Sequence, residues 1–464
     1  MKKEIAMELK RFIYDKLIHW KNEDSGKVLV VEGARQVGKT YILQKFSREN
    51  FDNAIYINLM ELTGRNFISC IETVTEWKPG DEPIEKPLHK ALTLYDKDFK
   101  DNKKTVVIID EVQESAMVYS RIREFAREFD CYFIVTGSYL GKTLDKEYFL
   151  PAGDIVKLKL ETLNFREFLL AYNKLDLYDN IDLFGNSPSE HYDELKKYFF
   201  IYQKIGGYPD VVSTYIKNED FEEAEELIAG IIEIFVDESQ RYFPDILDKA
   251  VFDKLLYGVA RTLLREKTGV DDLVTELSKI IYKEESGKLS KRSINNAIGW
   301  LLVSHIIGYC DKSIDCSIHE IKSNNRVYFK DLGVARLFLK RTGDDPNTIK
   351  GVIAENFVYL SLSHWTGKYI AGSSPWFALY KKTGGELDFF VRSLIDYKNY
   401  GIEVKSTDNQ YKTAKALLND GKLDYLYLLK GDTYGGADNA PIYTVPLYLA
   451  DRIRFSYGIP VEED

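Results

Sequence analysis

Eight residues constrain this chain more than any others. Gly33-Ala34-Arg35-Gln36-Val37-Gly38-Lys39-Thr40 fit the pattern G-x-x-x-x-G-K-[ST] without a mismatch. The apolar run KVLVVE (27–32) precedes them and a helical pattern follows. Strand, glycine loop and helix in that order form a phosphate cradle, because backbone N–H groups and the helix N-terminus then face the anion. Lys39 would reach the β- and γ-phosphates and the Thr40 hydroxyl would bind Mg²⁺. The rest of the loop, from Gly33 to Gly38, and Tyr41 just after it would line the same nucleotide. The expected cofactors are therefore ATP and Mg²⁺.

A loop of this kind needs an acidic partner at the end of a nearby strand. Val106-Val107-Ile108-Ile109 is apolar and delivers Asp110 and Glu111 to its C-terminal end, where ligands of open α/β sheets collect. Asp110 would hold the Mg²⁺ shell and Glu111 would polarise the attacking water. The next strand ends in Thr136-Gly137-Ser138. Ser138 would touch the γ-phosphate or the water, or the segment is an ordinary strand-to-loop turn. Strands at 27–32, 54–59, 105–109 and 132–136 alternate with helical stretches, which predicts a parallel sheet covered on both faces.

With 464 residues, the chain is too long for one ordinary core. The fold class expected is α/β, with a P-loop domain over 1–163. Long helical patterns then predict a helical domain over 164–268, and a small helical unit ending in a hairpin covers 269–340. After the polar stretch RTGDDPNT (341–348), a helix and alternating strands predict a second α/β region over 341–464.

GARQVGKT, VVIIDEVQ, VTGSYL, NFREFL and GGYPDVV together resemble a bacterial and archaeal family of AAA-type ATPases. Its members carry a C-terminal domain with a restriction-endonuclease-like core. The resemblance implies nucleotide roles for Gly38, Lys39, Thr40, Asp110 and Glu111. It also implies an arginine at a position where this chain has Asp154, so a ring motor acting through that arginine is in question. Arg121, Arg123 and Arg127 follow the acid pair on a helix, where surface ion pairs would account for them as well.

Two further regions bear on function. Ser290 to Ser304 forms a helix with Lys291 and Arg292 in its first turn, and strands from Ile307 and Arg326 would follow as a wing. Such a winged helix is either a structural module or a DNA reader. In the C-terminal region, alternation puts Asp388 and Phe390 on one strand face, and Glu403 and Lys405 on another. Adjacent strands would bring Asp388 and Glu403 to a shared divalent cation, with Glu355 as a further ligand and Lys405 positioning water. This arrangement resembles the D…(D/E)-x-K pattern of restriction-endonuclease-like nucleases. A degenerate version of that site would bind without cutting.

Composition limits the partners. A net charge of -10 argues against nucleic acid along the whole surface and restricts any such binding to a weak, local basic face around Lys288 to Arg292 and Lys322 to Arg326. No stretch approaches the roughly 18 apolar residues of a membrane span. The N-terminus lacks the pattern of a secretory signal, and four scattered cysteines predict no disulfide framework. The expectation is a cytoplasmic protein, alone or with a homo-oligomeric or protein partner. Two functions stay open. The first is an ATPase whose nucleotide state gates a metal-dependent nuclease on DNA or RNA. The second is a nucleotide-switched interaction protein.

Overall fold

The computed structural model describes residues 8–76, 84–137, 153–242, 250–265, 276–277, 279, 291–405, 411–436 and 440–456. The chain divides into two compact units. Among the described residues, one is Glu8–Thr162 with Val303–His305, and the other takes in those from Leu163 to Leu302 and from Ile306 onward.

The first unit is built on five parallel strands: β1 (Val28–Glu32), β2 (Asn53–Asn58), β3 (Thr105–Asp110), β4 (Tyr132–Gly137) and β5 (Ile155–Lys159). Their order is β2-β3-β4-β1-β5, and every pairing is parallel. The apolar runs VLVV and TVVII are buried along their length, as strands with a helix layer on each face must be. The helix Lys39–Asn50 presents Ile42, Leu43 and Phe46 to the core, one stripe at helical spacing. Val28, Ile57, Val107, Phe125 and Val135 belong to one hydrophobic cluster on this sheet.

The second unit is mostly helical from Phe165 to Tyr242 and again from Ala250 to Leu264, and it contains a seven-stranded mixed sheet. Its strands are β6 (Ile307–Ile314), β7 (Ile321–Phe329), β8 (Trp376–Tyr380), β9 (Gly385–Arg392), β10 (Asn399–Lys405), β11 (Tyr425–Lys430) and β12 (Ile442–Pro446). They lie in the order β12-β11-β10-β9-β8-β6-β7. The helix Pro346–Trp365, capped by Asp345 and started by Pro346, is apolar on nearly every side and buried from Val352 to Tyr359.

This sheet corrects the expected winged-helix unit. The helix runs from Lys291 to Val303, close to its expected span. The hairpin after it is not a free wing, however, since β6 pairs parallel with β8 and makes the hairpin the edge of the larger sheet. Lys322 to Asn325, expected as a connecting loop, lie inside β7. The physical reason lies in the strand edge: a lone hairpin would leave the outer N–H and C=O groups of β6 unpaired, and β8 pairs with them from Asp311 to Ile314. Lys288 and most of the helix expected at 270–281 lie outside the described residues. The boundaries expected at 268 and 340 fall inside one compact unit. From 346 onward, helix, strand hairpin, strand, helix and strand follow in the expected order.

Candidate active site

The loop between β1 and the helix Lys39–Asn50 is shaped by two glycines with different reasons. Gly38, the helix N-cap, has φ 89°, a left-handed conformation that glycine adopts without penalty. Gly33 passes so close to β5 that a Cβ would stand 2.0 Å from the Leu160 carbonyl oxygen. Arg11, buried and donating to the Val37 carbonyl at 2.9 Å and to the Glu161 carbonyl at 2.6 Å, braces the loop from outside. Sequence reading passed over it, because a lone arginine before a helix carries no pattern.

Lys39 is buried and donates to the carbonyls of Gly33 at 2.8 Å and Ala34 at 2.7 Å. Burial draws its pKa down to about 8, against the opposing pull of the Glu111 and Asp110 charges. Asp110, at the C-terminal end of β3, is also buried. One carboxylate oxygen accepts both the Thr40 hydroxyl and the Tyr56 hydroxyl, each at 2.7 Å. The other accepts the Glu111 N–H at 2.9 Å. Glu111 takes a left-handed backbone with φ 54°, on the order of 1 kcal/mol unfavourable for a residue with a Cβ, and its carboxylate accepts from the buried Gln113 side chain. Non-glycine residues in that region concentrate at functional sites. Gln36, in the loop itself, is the other instance here, with φ 59°.

Sequence reading thus named Lys39, Thr40, Asp110 and Glu111, and the structure brings all four together. It missed Tyr56 and Gln113. Tyr56 faces Asp110 because β2 pairs with β3 in the register Tyr56 to Ile108 and Asn58 to Asp110, which no single-strand pattern contains. Tyr41 is half exposed just beyond the loop. Thr136 is fully buried and donates to the Val31 carbonyl at 2.9 Å, so it pins β4 to β1; Ser138 lies outside the described residues. Arg121 pairs with Glu124 at 2.8 Å. Arg123 and Arg127 both pair with Asp154, at 3.1 Å and 3.0 Å.

The second unit gathers a cluster of charges. Val404 N–H donates to Asp388 at 2.7 Å. Lys405 stands 2.9 Å from Glu403 and 3.8 Å from Asp388, so the three expected side chains do meet. Glu355 has other partners: it accepts from Arg326 at 3.1 Å and from the Tyr328 hydroxyl. Arg326, from β7, lies 4.1 Å over the Phe377 ring and also binds Glu386 of β9. Glu386 was not expected here, although it shares a strand face with Asp388; Arg326 was expected on an exposed basic face, and it is instead held among buried acids. Burial raises Glu403 to about 7, with the Asp388 charge adding and Lys405 opposing. Burial raises Glu386 to about 7 as well, against Arg326. One oxygen of each carboxyl is buried without a hydrogen-bond partner. Among the described residues, no group of three or more His, Cys, Asp or Glu stands close enough to hold a metal ion. Cys310 and Cys316 are both buried, and Cys316 packs in an apolar cluster with Trp376 and Leu387.

No helix among the described residues is long and apolar enough to cross a membrane. Compared with known proteins, residues 25–169 match a family model described as an AAA domain. No curated protein matches the chain. Among solved structures, a Walker-type ATPase of Pyrococcus abyssi is 15% identical, with 71% of this chain and 96% of that one covered and a TM-score of 0.45. The Aeropyrum pernix ORC2 protein in ADPNP–ADP complexes is 14% identical over 76% and 96%, with a TM-score of 0.37. The Thermotoga maritima RuvB Holliday junction branch migration motor is 11% identical over 65% and 90%, with a TM-score of 0.30. Likenesses at that level decide nothing about this chain; the family match and the loop geometry do. Residues 25–169 are an AAA-type P-loop ATPase domain.

Proposed function

We propose that the chain binds ATP with Mg²⁺ at the loop Gly33–Thr40 and hydrolyses it. The observation that carries the reading is the convergence of Lys39, Thr40, Asp110 and Glu111 at the carboxyl ends of β1 and β3. Thr40 and Asp110 suit a hard cation, since both present oxygen and the hydroxyl proton already points at the carboxylate. Bound Mg²⁺ would neutralise phosphate charge in the transition state. Lys39 would exchange its two loop carbonyls for phosphate oxygens, and the loop N–H groups would orient the β-phosphate. Glu111 would orient and deprotonate the attacking water.

Lys39→Ala should abolish ATP binding measured by calorimetry. Glu111→Gln should keep that affinity and lose turnover by a factor of about 10² or more, because an amide cannot take the water's proton. Undiminished ATP affinity in the Lys39 variant would sink the assignment.

A second reading concerns Asp388, Glu403 and Lys405. The unpartnered oxygens of Glu403 and Glu386 favour a site for a divalent cation and a phosphodiester, with Lys405 positioning water. The competing account is an ion-pair network used in a nucleotide-switched interaction protein. A cleavage assay with Mg²⁺ or Mn²⁺ on single- and double-stranded DNA and RNA separates the two.

A further inference from the structure

Tyr56 belongs to no motif. It sits on β2, opposite Ile108 of β3, with Asp110 two residues further on. Residues opposite one another across a sheet share a face, and a diagonal neighbour is within reach of an aromatic side chain. The Tyr56 hydroxyl therefore meets Asp110, donating at 2.7 Å to the same oxygen that accepts from Thr40.

A buried carboxylate needs its lone pairs matched. Here one oxygen takes two hydroxyl donors and the other takes the Glu111 N–H. The carboxylate is thereby fixed in rotation. Thr40 has one proton to donate, and with that proton directed at Asp110 its lone pairs turn away from the carboxylate. A hydroxyl so polarised is a better ligand for a hard cation than one free to rotate.

We infer that Tyr56 is a positioning residue for the magnesium half of the nucleotide site, holding Asp110 so that Thr40 presents its oxygen to the metal. The inference rests on the reading that ATP and Mg²⁺ bind at this loop. It assigns Tyr56 no contact with nucleotide and no share in proton transfer. Its effect therefore falls on the metal dependence of binding and not on binding of the bare nucleotide.

The test is Tyr56→Phe, which keeps the ring in the core and removes only the hydroxyl. ATP affinity is measured by calorimetry in EDTA, then as Mg²⁺ is titrated in, for wild type, Tyr56→Phe, Thr40→Val and the double variant. In EDTA, Tyr56→Phe should match wild type within about two-fold. The Mg²⁺ concentration giving half of the affinity gain should rise about ten-fold, the usual consequence of losing a group that orients a metal ligand. In the Thr40→Val background, Tyr56→Phe should add nothing. An unchanged Mg²⁺ midpoint overturns the inference. So does an equal loss with and without Mg²⁺, which would make Tyr56 a packing residue. If wild-type affinity for ATP shows no response to Mg²⁺, the reading of the site itself fails, and this inference falls with it.

Discussion

Lys39 shows how much a single side chain depends on its surroundings. Its ammonium is buried against two carbonyls and its pKa falls to about 8. Phosphates placed beside it would favour the charged form and raise that value. Below pH 8 the free site already carries the proton, so ATP binding takes up almost none. Above pH 8 the proton has to be acquired on binding, and affinity should fall by up to ten-fold per pH unit until the pKa of the bound state is passed. Calorimetry at pH 9 in two buffers of different ionisation enthalpy should then reveal proton uptake, absent at pH 7 and absent in Lys39→Arg. Uptake independent of Lys39 would place the titrating group elsewhere. This residue was legible in sequence because the loop motif fixes its role. Tyr56, Gln113 and Arg11 were not, because their positions follow from strand register and loop packing and not from spacing along the chain.

At the scale of elements, two of the motifs that carried the family resemblance prove to be joints. Asn164 of NFREFL caps the helix Phe165–Ala171, accepting from the Glu167 N–H at 2.8 Å while Glu167 reaches back to the Asn164 N–H. The Gly207 carbonyl of GGYPDVV accepts from the Leu163 N–H at 2.7 Å, and the Gly207 N–H donates to Asp331 at 2.8 Å. A Cβ on Gly207 would stand 2.0 Å from the Leu163 carbonyl oxygen. Asn164→Ala should therefore cost about 1 kcal/mol in urea unfolding. Gly207→Ala should cost more, since backbone has to shift to admit the methyl group. Neither should change ATP affinity by more than about two-fold, and a larger loss in Asn164→Ala would tie that cap to the nucleotide site. Strands β1 to β4 of the first sheet were legible as short apolar runs, whereas β5, an edge strand of sequence IVKLK that is largely not buried, was not expected. The edge hairpin β6–β7 was misread as a wing because alternation within a hairpin carries no sign of which third strand will cover it.

Across the whole molecule, the ATPase loop and the Asp388–Glu403–Lys405 cluster belong to different compact units. That separation makes the second site testable without disturbing the first. Lys405→Ala should leave ATP affinity and turnover at wild-type values. If the cluster cuts phosphodiesters, the same variant should lose all Mg²⁺- or Mn²⁺-dependent cleavage that wild type performs. If it is only an ion network, wild type cuts nothing, and the variant should unfold more readily. Lys405 is the cation nearest to Glu403, whose carboxyl is buried with one oxygen unpartnered. Breaking such a buried pair costs on the order of 3 kcal/mol. That loss has a pH signature. Glu403 is raised to about 7 even with Lys405 opposing the rise, so without Lys405 its pKa should climb further, and the carboxyl sheds its charge at little cost at pH 6 but at a larger cost at pH 8. The drop in melting temperature on Lys405→Ala should therefore be smaller at pH 6 than at pH 8. A drop of equal size at both would mean that Glu403 does not depend on Lys405 for its charge, and that the pairing seen between them contributes little.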